Sequence, residues 1–414
     1  MKTKTTYLFF NLLIFTALLL NNLNAQTTAI PDPNFEQALI DLGIDSDGTL
    51  NGQVLTADIA NVTYLAIPGR NISNLSGIEN FTNLEKLIVR NNNIQTMDFS
   101  ANTQLKRLNC LSNPLNSLNL TNNVLLDSLT TGRLYQLNDL DLSNNINLKY
   151  LDCSNVVDIS NNVNLEYLRI PEYAALSIDI SNNINLKTLI ASFCPFSQID
   201  LSNNTQLEYL DLSGTPLTSL DLSNNIQLKE LYLNNEDDVP MLQLTSLDCS
   251  NNVNLEYLHI ENVYSLETIN LKNEHNDILS LEIWDYYSNG TYLLSLNCIQ
   301  VDDEVAANNG QPPYSNWPYP AGFVYSEDCS KVDIVDENWQ NINLYPNPVK
   351  DQLYIENIDD INIRQVKIYD TGGKLLCQKS ASFDRVDLSS LPSGLYFVKI
   401  ETDKGGVTKK IFKE

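Results

Sequence analysis

The sequence predicts a mainly β protein: a solenoid of short strands, with a small helical N-terminal cap and a small C-terminal antiparallel β-sandwich. Three observations predict the solenoid. A unit of about 21 or 22 residues recurs along most of the chain, each unit carries alternating apolar residues, and most units contain the triplet Ser-Asn-Asn. Stacked units of this kind bury leucine on leucine, although no single unit could fold alone.

Each unit contains two short segments with a period of two, as in Leu210-Asp-Leu212 and Leu220-Asp-Leu222. This alternation predicts two very short strands per turn, and the residues between them are too few for an ordinary helix. The pattern resembles leucine-rich repeats, which implies a leucine-rich-repeat solenoid over residues 84–297. The second segments begin at Met97, Leu118, Leu140, Val157, Ile178, Ile199, Leu220, Leu247 and Ile269.

Asparagine occupies one column of the repeat, just after the second predicted strand. Asparagine tolerates left-handed backbone angles, and its amide can donate to and accept from neighbouring turns. We therefore expect a buried hydrogen-bonded ladder at this corner, the alternative being a sugar-binding asparagine surface. The column comprises Asn102, Asn123, Asn145, Asn162, Asn183, Asn204, Asn225 and Asn252.

Residues 1–25 have the layout of a cleavable signal peptide. Lys2 and Lys4 give a basic start, an apolar run follows from Tyr7 to Leu20, and Ala25 precedes the predicted cleavage point. A run of this length is too short to span a membrane comfortably. We therefore expect export and no transmembrane segment in the mature chain.

Residues 26–83 are predicted to form the N-terminal cap and a first irregular repeat. Asp32 is a helix N-cap candidate before Pro33, and Gly43 can end the helix. The segment resembles the caps of secreted leucine-rich-repeat proteins of Bacteroidetes, in which the following loop can resemble a calcium loop. Asp45 and Asp47 suit such a loop, but Val54 stands where a bidentate Glu should close it. We predict neither a metal site nor another cofactor.

Two cysteines, Cys298 and Cys329, bracket an aromatic and proline-rich stretch in residues 298–340, which are predicted to be a C-terminal cap and linker. In an exported chain such a pair predicts a disulfide. Four further cysteines fall on interior positions of the repeats and are expected to be small buried hydrophobic residues: Cys110, Cys153, Cys194 and Cys249.

Residues 341–414 lack the repeat and alternate short strands with Gly and Pro turns, which predicts the antiparallel sandwich. The segment resembles the type A sorting domain of the Bacteroidetes type IX secretion system. The resemblance implies that the outer-membrane translocon reads this tail and that the cargo is then released or attached to the outer surface of a Gram-negative cell. The alternative is an immunoglobulin-like adhesion module that stays on the mature protein. The motif residues are Tyr345, Pro346, Asn347, Pro348, Gly373, Lys374, Gly394, Leu395 and Tyr396.

The formal charge of −26 argues against nucleic-acid binding, because 51 acidic residues oppose only 25 basic ones. The excess lies in residues 26–340, which hold 12 basic and 41 acidic residues. The acidity favours cationic or divalent-bridged partners of the predicted solenoid.

No catalytic motif is present, so we predict a non-enzymatic protein that binds an extracellular protein or glycan. The alternatives are a hydrolase-like enzyme using the acidic repeat face and a structural surface-layer component. Candidate ligand contacts are outward residues of the sheet that the family would call concave, where tyrosine offers a large contact area at low entropic cost. Stacked tyrosines could instead only stiffen the sheet. The candidates are Tyr150, Asp152, Tyr167, Arg169, Tyr209, Asp211, Glu230, Tyr232, Tyr257 and His259.

Overall fold

The computed structural model describes residues 26–132, 140–153, 158–170, 177–235, 242–284, 295–318, 323–331, 342–357, 362–370, 374–380, 383–402 and 405–414. The predicted signal peptide and Gly373 lie outside these residues. The chain divides into two compact units, residues 1–265 with 273–282 and residues 266–272 with 283–414, which are described separately below. Among the described residues, no helix has the length and apolar character to cross a membrane.

The first unit opens with the predicted helical cap. Asp32 is the helix N-cap, and its Oδ1 accepts hydrogen bonds from the amides of Asn34 and Phe35 at 2.9 and 3.2 Å. Gly43 follows the helix with a φ of +68°, as predicted. The elements are strands Thr27–Ala29 and Gln53–Leu55, which pair antiparallel, helices Pro33–Asp41 and Thr56–Ile59, and the 3-10 turn Ile78–Asn80.

An eleven-stranded sheet runs along the solenoid. Its strands from Tyr64–Ala66 to Tyr257–Glu261 pair in parallel, each with the next. The second residue of each strand from Tyr64–Ala66 to Tyr257–Glu261 is an inward leucine, and these leucines face each other from Leu65 to Leu258 with at most 1% of their surface exposed. The first predicted strand of each turn is confirmed. The strands are Tyr64–Ala66, Lys86–Ile88, Arg107–Asn109, Ser128–Gly132, Tyr150–Cys153, Tyr167–Arg169, Thr188–Ile190, Tyr209–Asp211, Glu230–Asn234, Tyr257–Glu261 and Ser280–Trp284.

The prediction of a second strand in every turn is wrong for the central repeats. Thr96–Asp98 pairs with Ser117–Asn119, and Ser246–Asp248 is a strand, but the described segments around Asp141, Asp179, Asp200 and Asp221 form none. In the pair that forms, Asn119 faces Asp98 and its amide donates to the carboxylate at 3.0 Å. The central turns place aspartate next to aspartate instead, and like charges opposite one another disfavour strand pairing.

The asparagine column forms a buried hydrogen-bonded ladder, as predicted, but its side-chain amides only donate hydrogen bonds and do not accept them. Asn183 is typical: its amide nitrogen donates to the carbonyls of Ile159 and Asn162 in the preceding turn, at 3.2 and 2.9 Å. The amide oxygens of the column are buried and have no hydrogen-bond partner among the described residues. The asparagines of this column do not adopt the left-handed backbone angles that asparagine tolerates. Left-handed angles occur instead after strands of the eleven-stranded sheet, for example at Asn91, Phe193 and Gly214.

The second unit contains the last turns and their cap. Strands Thr268–Asn270, Cys298–Gln300 and Val324–Ser326 pair in parallel, followed in the cap by helix Glu304–Asn308 and the 3-10 turns Tyr314–Asn316 and Cys329–Lys331. The predicted disulfide between Cys298 and Cys329 is present. The Tyr314 and Trp317 rings meet edge to face at 4.9 Å, so the aromatic stretch packs as a small core.

Residues 342–414 form the predicted antiparallel sandwich. Its buried core includes Leu353, Ile368, Val398 and Ile411, drawn from both sheets. The three-stranded sheet consists of Ile342–Tyr345, Gln352–Asn357 and Arg385–Asp387, and the four-stranded sheet of Leu375–Lys379, Ile363–Tyr369, Gly394–Thr402 and Gly405–Lys413.

Candidate functional site

The parallel register places the candidate residues in two outward rows of the eleven-stranded sheet. The first row contains Tyr150, Tyr167, Thr188, Tyr209, Glu230 and Tyr257. The second row contains Asp152, Arg169, Ile190, Asp211, Tyr232 and His259. Outward positions follow from the alternation along each strand, since the leucine between the two rows is buried.

The structure divides the candidates into two clusters. In the first, the rings of Tyr150 and Tyr167 stack with centroids 4.3 Å apart and planes 10° from parallel. Beside them Arg169 Nη1 lies 3.3 Å from Asp152 Oδ1. Burial raises the pKa of Asp152, and Arg169 opposes that rise. Burial also raises the pKa of Tyr167.

Thr188 and Ile190 interrupt both rows, so the tyrosines do not form one continuous stack. The second cluster contains Tyr209, Tyr232 and Tyr257. The Tyr232 ring lies between the other two, with its centroid 5.1 Å from that of Tyr209 and 5.4 Å from that of Tyr257. Its hydroxyl donates to Glu230 Oε2 at 2.9 Å.

Sequence reasoning missed Glu282 and Ser192. The Tyr257 hydroxyl donates to Glu282 Oε2 at 2.7 Å, and the Ser192 hydroxyl donates to Asp211 Oδ2 at 2.6 Å. Burial, followed by the bond to Glu282, raises the pKa of Tyr257 to about 12. Glu282 was detectable in principle, because Leu281-Glu282-Ile283 continues the strand alternation after an irregular segment.

His259 lies against two aromatic rings and near one carboxylate. Its ring is 6.2 Å from Tyr232 and 6.0 Å from Tyr257, and Nε2 is 3.9 Å from Glu261 Oε2. Within the described ranges, no group of three or more His, Cys, Asp or Glu side chains is placed to hold a metal ion. In the cap loop, Asp45 is buried, and burial, followed by the charge of Asp47, raises its pKa.

A charge row that sequence reasoning also missed borders the tyrosine rows. Its residues alternate in sign from turn to turn, and the backbone amide of each bonds to the carbonyl of the one before. Glu166 Oε2 lies 2.9 Å from Lys187 Nζ, and Glu208 Oε2 lies 2.6 Å from Lys229 Nζ. The row is Glu85, Lys106, Asp127, Lys149, Glu166, Lys187, Glu208, Lys229 and Glu256.

The first segment of the predicted sorting motif, Tyr345 to Pro348, lies beside the last strand of the sandwich, whereas Tyr396 is buried on an interior strand. Asn347 Oδ1 accepts a 2.7 Å bond from the Phe412 amide, and its Nδ2 donates to the Lys410 carbonyl at 3.0 Å. The half-exposed ring of Tyr345 stacks on Tyr354 with centroids 5.7 Å apart. The first motif segment is therefore bound to the last strand of the chain.

Comparisons with known proteins agree with both parts of the fold. Residues 343–414 match the family of secretion system C-terminal sorting domains. A comparison with curated protein sequences found no match. An internalin, inlF, from Listeria monocytogenes is 20% identical with a TM-score of 0.52, over 74% of this chain and 94% of that one. The functional domain of InlJ from the same organism is 21% identical with a TM-score of 0.44, over 94% and 99%.

The protein is thus a leucine-rich-repeat solenoid that carries a C-terminal sorting domain. The sorting domain indicates engagement by the type IX secretion machinery, and hence a protein that is secreted or attached to the cell surface.

Proposed function

We propose that this protein binds an extracellular protein or glycan through the two tyrosine clusters of the eleven-stranded sheet, without chemistry of its own. The observation that carries the proposal is the concentration of five partly buried tyrosines on one outward face, within a sheet whose registers hold them in place. Tyrosines with fixed orientation lose little entropy on binding and offer both a ring face and a hydroxyl. Neighbouring carboxylates supply acceptors for a hydroxyl-rich or cationic ligand.

The test replaces Tyr167, Tyr209 and Tyr257 together by Ser and measures adhesion to cells or matrix. The matched control replaces three aliphatic residues at equivalent positions on another face by Ser: Ile146, Ile184 and Ile226, which are 52%, 55% and 47% exposed. We expect the tyrosine variant to lose adhesion and the isoleucine variant to keep it. Unchanged adhesion by a folded tyrosine variant would remove the tyrosine surface from the proposal.

The stacking of Tyr150 on Tyr167 favours a second role for these rings, as stiffeners of the sheet. Aromatic cross-strand pairs contribute roughly 0.2 to 1 kcal/mol each. If stiffening is their only role, the tyrosine variant loses thermal stability while adhesion per folded molecule stays constant. Circular dichroism melts run beside the adhesion assay separate the two roles.

The remaining part of the proposal is that the tail directs export and is then removed by the secretion machinery. Deletion of residues 341–414 is expected to leave the protein inside the cell envelope, whereas the full chain reaches the surface or medium. Normal export of the shortened protein would contradict the sorting role of the tail. Mass spectrometry of the exported full chain would distinguish a removed tail from an adhesion module that stays attached.

A further inference from the structure

Three carboxylates lie within or beside the second tyrosine cluster. Glu230 occupies the position between Tyr209 and Tyr257 in the first outward row, and the Tyr232 hydroxyl bonds to it from the second row. The Tyr232 ring lies between the other two rings, so tyrosines border Glu230 on three sides. We call the whole set, whose members are all partly exposed, the acidic tyrosine patch: Tyr209, Asp211, Glu230, Tyr232, Tyr257 and Glu282.

The hydroxyl protons in this patch are directed at its own carboxylates. Tyr232 donates to Glu230 Oε2 at 2.9 Å, and Tyr257 donates to Glu282 Oε2 at 2.7 Å. An ionised carboxylate has about four acceptor sites and no donor, so each keeps the capacity to accept further bonds. The patch therefore presents mainly acceptors and ring faces. Such a surface suits a cation that only donates better than a sugar hydroxyl, which also needs a donor.

The chain around the patch has very few cations of its own. Residues 188–284 contain 15 acidic residues and only two basic ones, Lys229 and Lys272. Lys229 Nζ lies 2.6 Å from Glu208 Oε2 in the charge row, and Lys272 Nζ donates to the Glu327 carbonyl at 3.1 Å. Within the described ranges, no lysine or arginine forms a salt bridge with a carboxylate of the patch. The patch is therefore complementary in charge to a basic partner.

The first tyrosine cluster differs because its acid already has an arginine. Arg169 follows Asp152 in the second outward row, with Nη1 3.3 Å from Oδ1, beside the stacked rings of Tyr150 and Tyr167. In the acidic tyrosine patch the residue that follows Asp211 in this row is Tyr232 instead. The two clusters thus share aromatic rings and an aspartate, and only the second one lacks the cation.

We infer that the acidic tyrosine patch binds arginine from a basic segment of a protein partner, with a guanidinium that bonds to Glu230 and lies against the tyrosine rings. A guanidinium has five donors and no acceptor, and its plane stacks on aromatic rings. Asp211 and Glu282 lie three strands apart, roughly 14 Å at the usual strand spacing, so the partner segment carries more than one cation. The inference rests on the proposed function and deepens it, because it selects a protein rather than a glycan.

The test measures binding of an octapeptide of alternating arginine and serine to the whole protein by isothermal titration calorimetry at physiological salt. One comparison peptide carries citrulline, which keeps the shape of arginine without its charge, and another carries lysine. Neutral maltohexaose represents a glycan. The wild-type protein should bind the arginine peptide more tightly than each of these three ligands.

Two triple variants separate the patch from the general acidity of the chain. The patch variant combines Asp211→Asn, Glu230→Gln and Glu282→Gln, and each change keeps an acceptor for the hydroxyl that bonds there. The matched control removes three exposed carboxylates from the central turns: Asp158→Asn, Asp200→Asn and Asp221→Asn. The patch variant should bind the arginine peptide at least about tenfold more weakly, and the control less than about twofold. Circular dichroism melts show that each variant is folded.

The inference is overturned if the two variants lose affinity equally, if the citrulline peptide binds as tightly as the arginine peptide, or if the lysine peptide binds more tightly. Patch-dependent binding of maltohexaose in place of the arginine peptide would overturn it in favour of a glycan. If the tyrosine variant loses adhesion but the arginine peptide does not bind at millimolar concentration, the inference fails and the proposed function stands. If the peptide binds through the patch but the tyrosine variant keeps adhesion, the patch stands and its role in adhesion fails.

Discussion

The hydroxyl of Tyr257 donates a 2.7 Å hydrogen bond to Glu282, and the two residues are contributed by successive strands of the sheet. Burial, then this bond, raises the pKa of Tyr257 to about 12, whereas an unfolded tyrosine ionises near pH 10. The stabilisation from neutral Tyr257 is therefore complete below about pH 10 and is lost as the pH rises through 12.

We expect Tyr257→Phe to reduce the alkaline loss of stability, measured by urea unfolding between pH 9 and pH 12. Glu282→Gln keeps an acceptor but removes the charge, so Tyr257 should ionise at lower pH in a titration followed at 295 nm. An identical titration curve in Glu282→Gln would show that this carboxylate has no influence on Tyr257.

The asparagine column gives a matched pair of substitutions. Asn183→Ala removes two buried hydrogen bonds, one to the Ile159 carbonyl and one to the Asn162 carbonyl, each of which keeps its backbone donor, and should cost about 1 to 3 kcal/mol in the free energy of unfolding. Asn182→Ala removes one exposed bond, to Ser160, and should cost less than about 0.5 kcal/mol. Equal losses in urea titrations of the two variants would contradict the buried ladder.

Glycine is required at position 214 for two reasons. Its φ is +65°, and an added Cβ would lie 2.2 Å from Phe193 Cδ1. Gly310 has a similar φ of +62° but open space around the added atom. Gly310→Ala should therefore cost about 1 kcal/mol, and Gly214→Ala a further 1 to 3 kcal/mol or so. Adding Phe193→Ala should recover part of the second loss relative to additivity, as a double-mutant cycle would detect.

The charge row and the aspartate column predict different responses of stability to salt. Glu166→Lys would place three cations on successive turns and should cost about 1 kcal/mol at low salt. Asp179→Asn removes a carboxylate whose pKa is held below its usual value by hydrogen bonds from the Ser181 hydroxyl and amide, so it should lower the melting temperature at neutral pH, although it also removes a charge that Asp158 and Asp200 sense. The first shift should shrink at high salt, whereas the second depends mainly on hydrogen bonds and should change little. A raised melting temperature of Asp179→Asn would show that repulsion within the aspartate column outweighs these hydrogen bonds.

Much of the fold could be predicted from local sequence patterns. The leucine spacing predicted the strands of the eleven-stranded sheet, because the inward leucine of each strand packs on the inward leucine of the neighbouring strand. The capping role of Asp32 and the disulfide between Cys298 and Cys329 could also be predicted from the sequence, since each follows from residue type and position. The sorting tail was recognisable from short motifs, and its match spans residues 343–414.

The sequence by itself determined the solenoid, the capped ends and the sorting tail, because these depend on a repeating local pattern of buried and turn-forming residues. Only the tertiary structure decided which outward side chains meet. It divided the tyrosines at Thr188 and Ile190, joined Tyr257 to Glu282, and placed Glu230 between Tyr209 and Tyr257. The second predicted strand is also absent from the described turns in which one aspartate lies next to another in the neighbouring turn. These outcomes depend on contacts between residues about 20 positions apart, and the spacing of residues within one turn contains no information about them.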